Sequence, residues 1–500
     1  MKNLTSLVVL IRKLNENELK ILLKYLMYYS GDVARNRSVL LVNRITTSKK
    51  INSNEIQMEI YGYQNQVAFN KLINRVKSKV LEVFLFDSNL EKNIYAIRTK
   101  TSFQLKKQIL YCEILNVRGL RQEADQLTKK ILSKAKKYEL FDIISSCYEL
   151  REGFLRVRGN KRQLNKIILE KNTSDEKNKS YSYCQNIYNF IINKINNTDN
   201  PLLYKDDLVS AIDKLELEYI KYNSFLVGYY LYFIKTEFFQ IEENYIEADK
   251  CLKKLLKIVN HKSIFSLNRM GATLLNISNN FIYLKNYNDS IKTGNEAKRY
   301  FPNNILNQSM VDEILFYSYY YLNNYNESRK IISRLVEFSN IGNIGNIGRS
   351  INKWKYLDAA LDFCMKRFDK CLLKLNDIFE LEKDREGWNI GRRLLSIMTN
   401  IELQKYEIVD LEIIRLEKYL KRISVSSSKT LRYKTIVKIL QKLMNSNYQF
   451  NEVAKSRSIH LNKLSALSGE LSRNIRGPEL IDFVLWFKSK TEYQMIELES

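Results

Sequence analysis

The chain has 500 residues, of which only three are proline and fifteen are glycine. Sandwiches and barrels need a turn about every 8–12 residues, so this shortage of turn residues excludes all-β folds and favours helices. An apolar fraction of 45% excludes a disordered chain. Because single cores stop growing near ~250–300 residues, we expect several domains or one repeat array.

The net charge of +26 is unevenly distributed along the chain. Seventeen of these charges lie in the first 200 residues, and residues 421–476 carry twelve Lys or Arg against Glu452 and Glu470. A basic surface of this kind can bind the phosphates of nucleic acid. Codon usage in an AT-rich genome also produces lysine at tolerant surface positions, so both explanations stay open.

Several features of the sequence predict a cytoplasmic protein. The apolar run 7–11 is too short for a secretory signal, and Arg12 and Lys13 follow it rather than precede it. No window reaches 18 apolar residues, so we expect no membrane span. The six cysteines show no C-x-x-C spacing, which indicates buried free thiols.

Residues 1–90 are predicted to form a basic helical N-terminal module. Asn52, followed three residues later by Glu55, is typical of a capping box, and Gly62 ends the short helix that it opens. A long amphipathic helix is predicted from about Val67 to Phe86. Its polar face carries the candidates for contact with nucleic acid, which are Asn70, Lys71, Asn74, Arg75 and Lys79.

The segment 54–84 resembles the winged-helix output domains of bacterial regulators. The resemblance lies in a short helix, a glycine turn and a long basic helix. It implies a helix-turn-helix whose second helix enters the major groove of DNA. A basic helix that packs as a cap on the rest of the chain has the same pattern and is the alternative.

Residues 95–425 are predicted to contain a repeat of about forty residues. Each unit is an apolar helix, a short turn with an aromatic residue, and a second helix. The aromatic residues are 42, 38, 43 and 38 positions apart: Tyr245, Tyr287, Tyr325, Phe368 and Tyr406. One helix pair cannot bury its apolar face alone, so we predict seven or eight stacked pairs.

Each unit resembles the tetratricopeptide repeat (TPR), most clearly between residues 274 and 304. The matching positions are Leu284, Tyr287, Ser290, Ala297 and Pro302. The resemblance covers roughly residues 100–420 and implies an all-α, right-handed α-solenoid of helix-turn-helix repeats with atypical helical caps. The period of about forty residues exceeds the 34 residues of the family, and the glycine that the family has in the first helix of each pair is missing. A HEAT-like helix pair is the alternative.

Residues 426–500 are predicted to form a basic helical C-terminal cap. An amphipathic helix is expected at 430–445, and a closing helix at 479–487 with Trp486 as a core anchor. The chain as a whole resembles long bacterial TPR proteins of unassigned role. Between the repeats, Asn-Ile-Gly occurs three times in residues 340–348, which predicts a surface loop.

The sequence contains none of the common catalytic motifs. Its two histidines, His261 and His460, are far apart, and no Walker, G-x-S-x-G or H-x-x-x-H pattern occurs. We therefore predict a chain that is not an enzyme and that needs no cofactor or metal.

The leading hypothesis is a scaffold that binds a protein or peptide partner in a concave groove. TPR-like stacking implies that the first helix of each pair lines this groove. It places four candidate residues there, Asn279, Tyr283, Tyr317 and Tyr321. A DNA-binding regulator with a TPR-like sensor domain is one alternative, and a basic protein associated with RNA or the ribosome is another.

Overall fold

We describe a computed structural model of the chain. It describes residues 2–28, 36–48, 51–85, 96–159, 161–198, 201–302, 304–340, 351–378, 387–423, 429–465 and 471–499. The chain divides into two compact units, residues 1–96 and residues 97–500. The Asn-Ile-Gly triplets lie almost entirely outside the described residues.

The first unit is built around its longest helix. Its helices are α1 (Lys2–Arg12), α2 (Glu16–Tyr28), α3 (Arg37–Thr47), α4 (Ser53–Tyr61) and α5 (Gln66–Leu85). Helices α1, α2 and α3 all pack on α5. The predicted apolar stripe of α5 is half-buried at Phe84 and fully buried at its other positions, which are Phe69, Leu72, Ile73, Val76, Val80 and Val83.

Helix α4 begins and ends at the residues that the sequence predicts. The Asn52 side chain accepts a hydrogen bond from the backbone N–H of Asn54 and donates to Glu55 at 3.0 Å. Gly62 ends α4 with a φ of +77°, a left-handed conformation that glycine adopts without a steric penalty. Every regular element in the described part of this unit is a helix, so these residues contain no strand that could form a wing.

The second unit consists of helix pairs packed in chain order. Its first helices are α6 (Ile97–Val117), α7 (Arg121–Lys137), α8 (Phe141–Arg158), α9 (Lys161–Asn196), α10 (Lys205–Tyr222), α11 (Phe225–Ile241), α12 (Tyr245–Val259) and α13 (Leu267–Tyr283). They are followed by α14 (Tyr287–Arg299), α15 (Ile305–Tyr321), α16 (Tyr325–Asn340), α17 (Ile351–Cys364), α18 (Phe368–Asn376), α19 (Trp388–Glu402) and α20 (Tyr406–Ile423). The last are α21 (Lys429–Asn445), α22 (Phe450–Ser456), α23 (Ser458–Leu464) and α24 (Phe483–Glu499). This all-α solenoid confirms the predicted fold class.

Five consecutive pairs, from α11–α12 to α19–α20, share one turn. Each predicted aromatic residue is the first residue of the second helix. The residue two positions before it has a φ of 56° or 57° in every pair: Glu243, Lys285, Asn323, Lys366 and Gln404. An asparagine then caps three of the second helices, as Asn286 does when it accepts from the N–H of Asp289. The turn is therefore a true structural repeat.

Small residues allow the helices of a pair to approach closely. Ser290 and Ala297 are fully buried, as the TPR positions predict. The Ser290 hydroxyl donates to the carbonyl of Ser278, and the Ser278 hydroxyl donates to the carbonyl of Ser290, both at 2.7 Å. Ser278 thus occupies the position of the missing glycine and satisfies its own hydroxyl there.

The last helix begins later than the sequence pattern predicts. Helix α24 starts at Phe483 rather than at residue 479, because Asp482 accepts the N–H groups of Val484 and Leu485 as its cap. Trp486 is a core anchor as predicted. It is 7% exposed, and its indole N–H donates to Glu402 at 2.7 Å. Residues 471–482 form a loop instead, which we call the C-terminal loop.

Candidate functional site

The C-terminal loop lies on the side of the repeats that the first helices form. We call this surface the first-helix face; it is built by α11, α13, α15, α17 and α19. Side chains from α13, α15 and α17 contact the loop, and α19 meets it at Pro478. The loop therefore crosses several consecutive repeats.

The side chain at the apex of the loop is Arg476. Its Nη2 donates to Oε1 of Glu313 at 2.9 Å, and its Nη1 donates to the amide oxygen of Asn279. The guanidinium also lies 5.3 Å from the centroid of the Tyr317 ring. Glu313 is 3% exposed and has a second cationic partner in Lys353, at 3.2 Å. The apex thus places one arginine among a carboxylate, an amide and an aromatic ring.

Tyrosine hydroxyls hold the main chain of the loop. Tyr317 donates to the carbonyl of Arg476 at 3.2 Å, and Tyr320 donates to the carbonyl of Leu480 at 3.2 Å. Two further hydroxyls reach main-chain carbonyls, those of Tyr321 to Ile475 and Tyr356 to Pro478. Burial raises the pKa of Tyr321 to about 12 and also raises the pKa values of Tyr320 and Tyr356, so all three hydroxyls remain protonated donors at neutral pH.

A buried ion pair closes the base of the loop. Arg432 on α21 donates to both carboxylate oxygens of Glu479, at 2.5 and 2.7 Å. Its remaining nitrogen donates to the carbonyls of Leu464 and Leu471, at 2.8 and 2.5 Å. Arg432 and Glu479 are 4% and 3% exposed. One arginine therefore ties the start of the loop to its end.

Three of the four predicted groove residues contact the loop. Asn279, Tyr317 and Tyr321 do so directly, while Tyr283 stacks on Tyr245 with ring centroids 4.4 Å apart. Three of the predicted groove positions are therefore brought together, and a segment of the same chain fills them.

Sequence reasoning missed the other residues of this site, among them Glu313, Tyr320, Tyr356, Arg432, Arg476 and Glu479. One signal was available for Glu313. Asp312 and Glu313 are the only charged residues of helix α15, and both side chains are buried. Buried carboxylates require partners. Nothing in the local sequence indicates that one partner lies 163 residues away.

Part of the first-helix face extends beyond the loop along α11. Glu237 lies four residues before the end of this helix, the position that Asn279 and Tyr317 occupy in α13 and α15. Within the described part of the chain its carboxylate has no hydrogen-bond or ion-pair partner, and burial raises its pKa to about 7. Two helical turns before the helix end, Phe233 packs edge-on against Tyr188 at 5.5 Å.

The nucleic-acid candidates all lie on α5 of the first unit. Lys71, Asn74 and Arg75 are exposed. Asn70 is half-buried and accepts from Gln66 at 3.2 Å. Lys79 forms an ion pair with Glu82 at 3.0 Å, and its ammonium lies 4.6 Å from the Tyr25 ring centroid.

The cysteines are unpaired and mostly removed from solvent. All six are free, and five of them are buried. Burial raises the pKa of Cys147 to about 12, which suppresses the reactive thiolate. Among the described residues no group of His, Cys, Asp and Glu could hold a metal ion. No helix in the same residues is long and apolar enough to cross a membrane.

Three features of the helix pairs agree with the tetratricopeptide repeat. They are the repeated turn, its aromatic residue and the small residues at the helix crossings. The chain is a TPR-like helical repeat protein. No family model matches the sequence, and no curated protein matches it either. Several solved structures are similar in fold to this chain, including the following two. The apo form of RapI is 13% identical, with a TM-score of 0.44 over 72% of this chain and 86% of RapI.

The second similar structure comes from Pyrococcus horikoshii. It is a signal transduction ATPase with numerous domains (STAND) protein that has a tetratricopeptide repeat sensor. This structure is 14% identical to the TPR-like chain, with a TM-score of 0.42 over 87% of this chain and 66% of that one. Both TM-scores are below 0.5, so the TPR-like repeat is assigned from the chain's own turns and helix crossings.

Proposed function

We propose that this TPR-like protein is a non-catalytic scaffold that binds a segment of a partner protein on its first-helix face. One observation carries the proposal. Four tyrosine hydroxyls donate to main-chain carbonyls of a segment that comes from outside the repeats: Tyr317, Tyr320, Tyr321 and Tyr356. Because every polypeptide has carbonyl oxygens, the same surface suits a segment of another protein.

The part of the face along α11 offers further room for such a segment. Phe233 and Glu237 are half-buried and lie one helical turn apart on this helix. Glu237 provides an acceptor for an N–H group or a basic side chain of the partner. A hydrogen bond from an incoming donor would offset the free-energy cost of burying this carboxylate, which favours binding.

Photo-crosslinking in the producing cells tests the proposal. Benzoylphenylalanine replaces Phe233 on the first-helix face, and in a matched control it replaces Leu373, which is 70% exposed on the second helix α18. We expect a discrete crosslinked protein at position 233 that is absent at position 373. The same products at both positions would contradict the proposal.

The compartment and the alternative function draw on other features of the chain. The unpaired state of all six cysteines supports a reducing compartment such as the cytoplasm. Contact with DNA through α5 remains the alternative function. It draws on exposed Lys71 and Arg75, whereas the charge of Lys79 is engaged by Glu82.

A further inference from the structure

The surroundings of Arg476 have the features of a site for arginine. Its two terminal nitrogens donate to different acceptors, Nη2 to Glu313 and Nη1 to Asn279, and its guanidinium lies beside the Tyr317 ring. A lysine ammonium would have to meet both acceptors with one nitrogen, whereas the planar guanidinium directs a separate nitrogen at each of them and lies beside the ring. The arginine side chain is 20% exposed, so most of it is removed from water.

We propose that Asn279, Glu313 and Tyr317 form an arginine-binding site that the chain's own Arg476 fills in this state. A partner polypeptide engages the scaffold by placing an arginine of its own there. This inference rests on the proposed function, because it names the chemistry of the partner segment. The C-terminal loop is then a tethered competitor of the partner.

The site can lose Arg476 without leaving a buried charge unpaired. Lys353 lies 3.2 Å from the same carboxylate of Glu313 and is itself 5% exposed, so this ion pair persists when the apex leaves. Removing the sole partner of a buried ion strongly destabilises a protein, and Lys353 prevents this penalty here. In addition, Nε of Arg476 is buried without a hydrogen-bond partner among the described residues. Arg476 therefore does not use all its donors in this site.

At the base of the loop, unlike at the apex, release would leave a buried charge without its ion-pair partner. Release of Glu479 would remove the only carboxylate paired with buried Arg432 in the described residues. The chain after the loop is also fixed, because Leu480, Phe483 and Phe487 are 1%, 0% and 0% exposed in the main core. Movement is therefore confined to the apex, residues 474–478, while both ends of the loop stay in place.

Tethering sets the strength of the competition. A segment held by short linkers has an effective concentration of about 1 mM at its site. A partner arginine must therefore displace Arg476 against this concentration, and removal of the Arg476 side chain should increase the affinity for any arginine segment. The matched control is Arg299, an exposed arginine on the second helix α14.

The test uses the full chain and a labelled synthetic peptide with the sequence of residues 471–482. Binding is measured by fluorescence anisotropy for wild type, Arg476→Ala, Arg299→Ala and the double variant Arg476→Ala/Glu313→Gln. We expect Arg476→Ala to bind at least about tenfold more tightly than wild type and Arg299→Ala, which corresponds to about 1.4 kcal/mol. The double variant, and a peptide with citrulline in place of Arg476, should lose this gain.

Several results would overturn the inference. They are equal binding by wild type and Arg476→Ala, no binding by an Arg476→Ala chain whose circular dichroism is native, and equal binding of the citrulline peptide. A wild-type dimer that Arg476→Ala abolishes would also overturn it, because the loop would then occupy a second copy. None of these results affects crosslinking at position 233, so the proposed function is tested separately.

Discussion

Gly391 in α19 lies directly against the main chain of Pro478 in the C-terminal loop. A Cβ atom at position 391 would be 2.9 Å from the carbonyl carbon of Pro478, closer than real Cβ contacts occur. With the loop seated, position 391 therefore has no room for a side chain larger than the hydrogen atom of glycine. This relationship gives a test for the seating of the loop that does not depend on charge.

We predict that Gly391→Ala displaces the loop. Overpacking usually costs about 1–3 kcal/mol, whereas alanine at an open helical glycine stabilises a protein by about 0.5–1 kcal/mol. Gly153 on α8 provides the control, since no atom lies within 4 Å of the Cβ it would gain. Hydrogen exchange of residues 471–482 should rise in Gly391→Ala and stay unchanged in Gly153→Ala. Slower exchange in Gly391→Ala would contradict the described seating.

A second prediction concerns the ion pair at the base of the loop. Arg432→Ala leaves Glu479 buried without its cation, and we expect a loss of about 3–5 kcal/mol in the free energy of unfolding. The double variant Arg432→Met/Glu479→Leu should recover most of this loss, because the pair is replaced by apolar contacts. Thermal unfolding of the single and double variants measures both effects. A double variant that loses more stability than Arg432→Ala would contradict the prediction, because the two losses would then add as for side chains that do not interact.

A third prediction concerns the tyrosine hydroxyls. Tyr356→Phe removes the donor to the carbonyl of Pro478, which should cost about 1 kcal/mol and speed hydrogen exchange near residue 478. Tyr183→Phe is the control, since Tyr183 is 46% exposed. An identical effect of both substitutions on exchange in the loop would argue against this hydrogen bond.

The open part of the first-helix face predicts a pH dependence. Burial raises the pKa of Glu237 from 4.5 to about 7, so the folded state binds the proton more tightly than the unfolded state. Stability from this group is therefore present below about pH 4.5 and is lost as the pH rises through about 7. Glu237→Gln should match wild type at low pH and exceed it by about 1–2 kcal/mol at pH 8, allowing for partial solvent access.

The matched control for this titration is Glu296→Gln, since Glu296 is exposed on α14. Its stability relative to wild type should not change across the same pH range. Denaturant unfolding at several pH values measures both variants. If Glu237→Gln were no more stable than wild type at pH 8, the carboxylate would not be desolvated.

The helix pairs could be predicted from the sequence because their signals are local. Tyr287 and Tyr325 begin second helices, and Ser290 and Ala297 lie at helix crossings, as the repeat pattern predicts. Such signals depend on neighbours within one turn or one helix pair. The same pattern also placed Asn279 and Tyr317 on a common face.

The occupant of that face could not be predicted in the same way. Arg476 meets Asn279 across 197 residues, and Tyr317 meets the Arg476 carbonyl across 159 residues. No periodicity connects positions so far apart. The helix predicted at 479–487 also began too early. Its pattern contains no information about Arg432, whose ion pair with Glu479 holds Glu479 in the loop outside α24.

The central claim is that the first-helix face binds a polypeptide segment. In the structure this segment is the chain's own C-terminal loop. The most direct measurement places benzoylphenylalanine at Tyr321, whose hydroxyl reaches the main chain of Ile475. The purified full chain is irradiated and the crosslinked peptides are identified by mass spectrometry. We predict intrachain crosslinks concentrated within residues 473–478. Crosslinks that avoid the C-terminal loop would contradict the account.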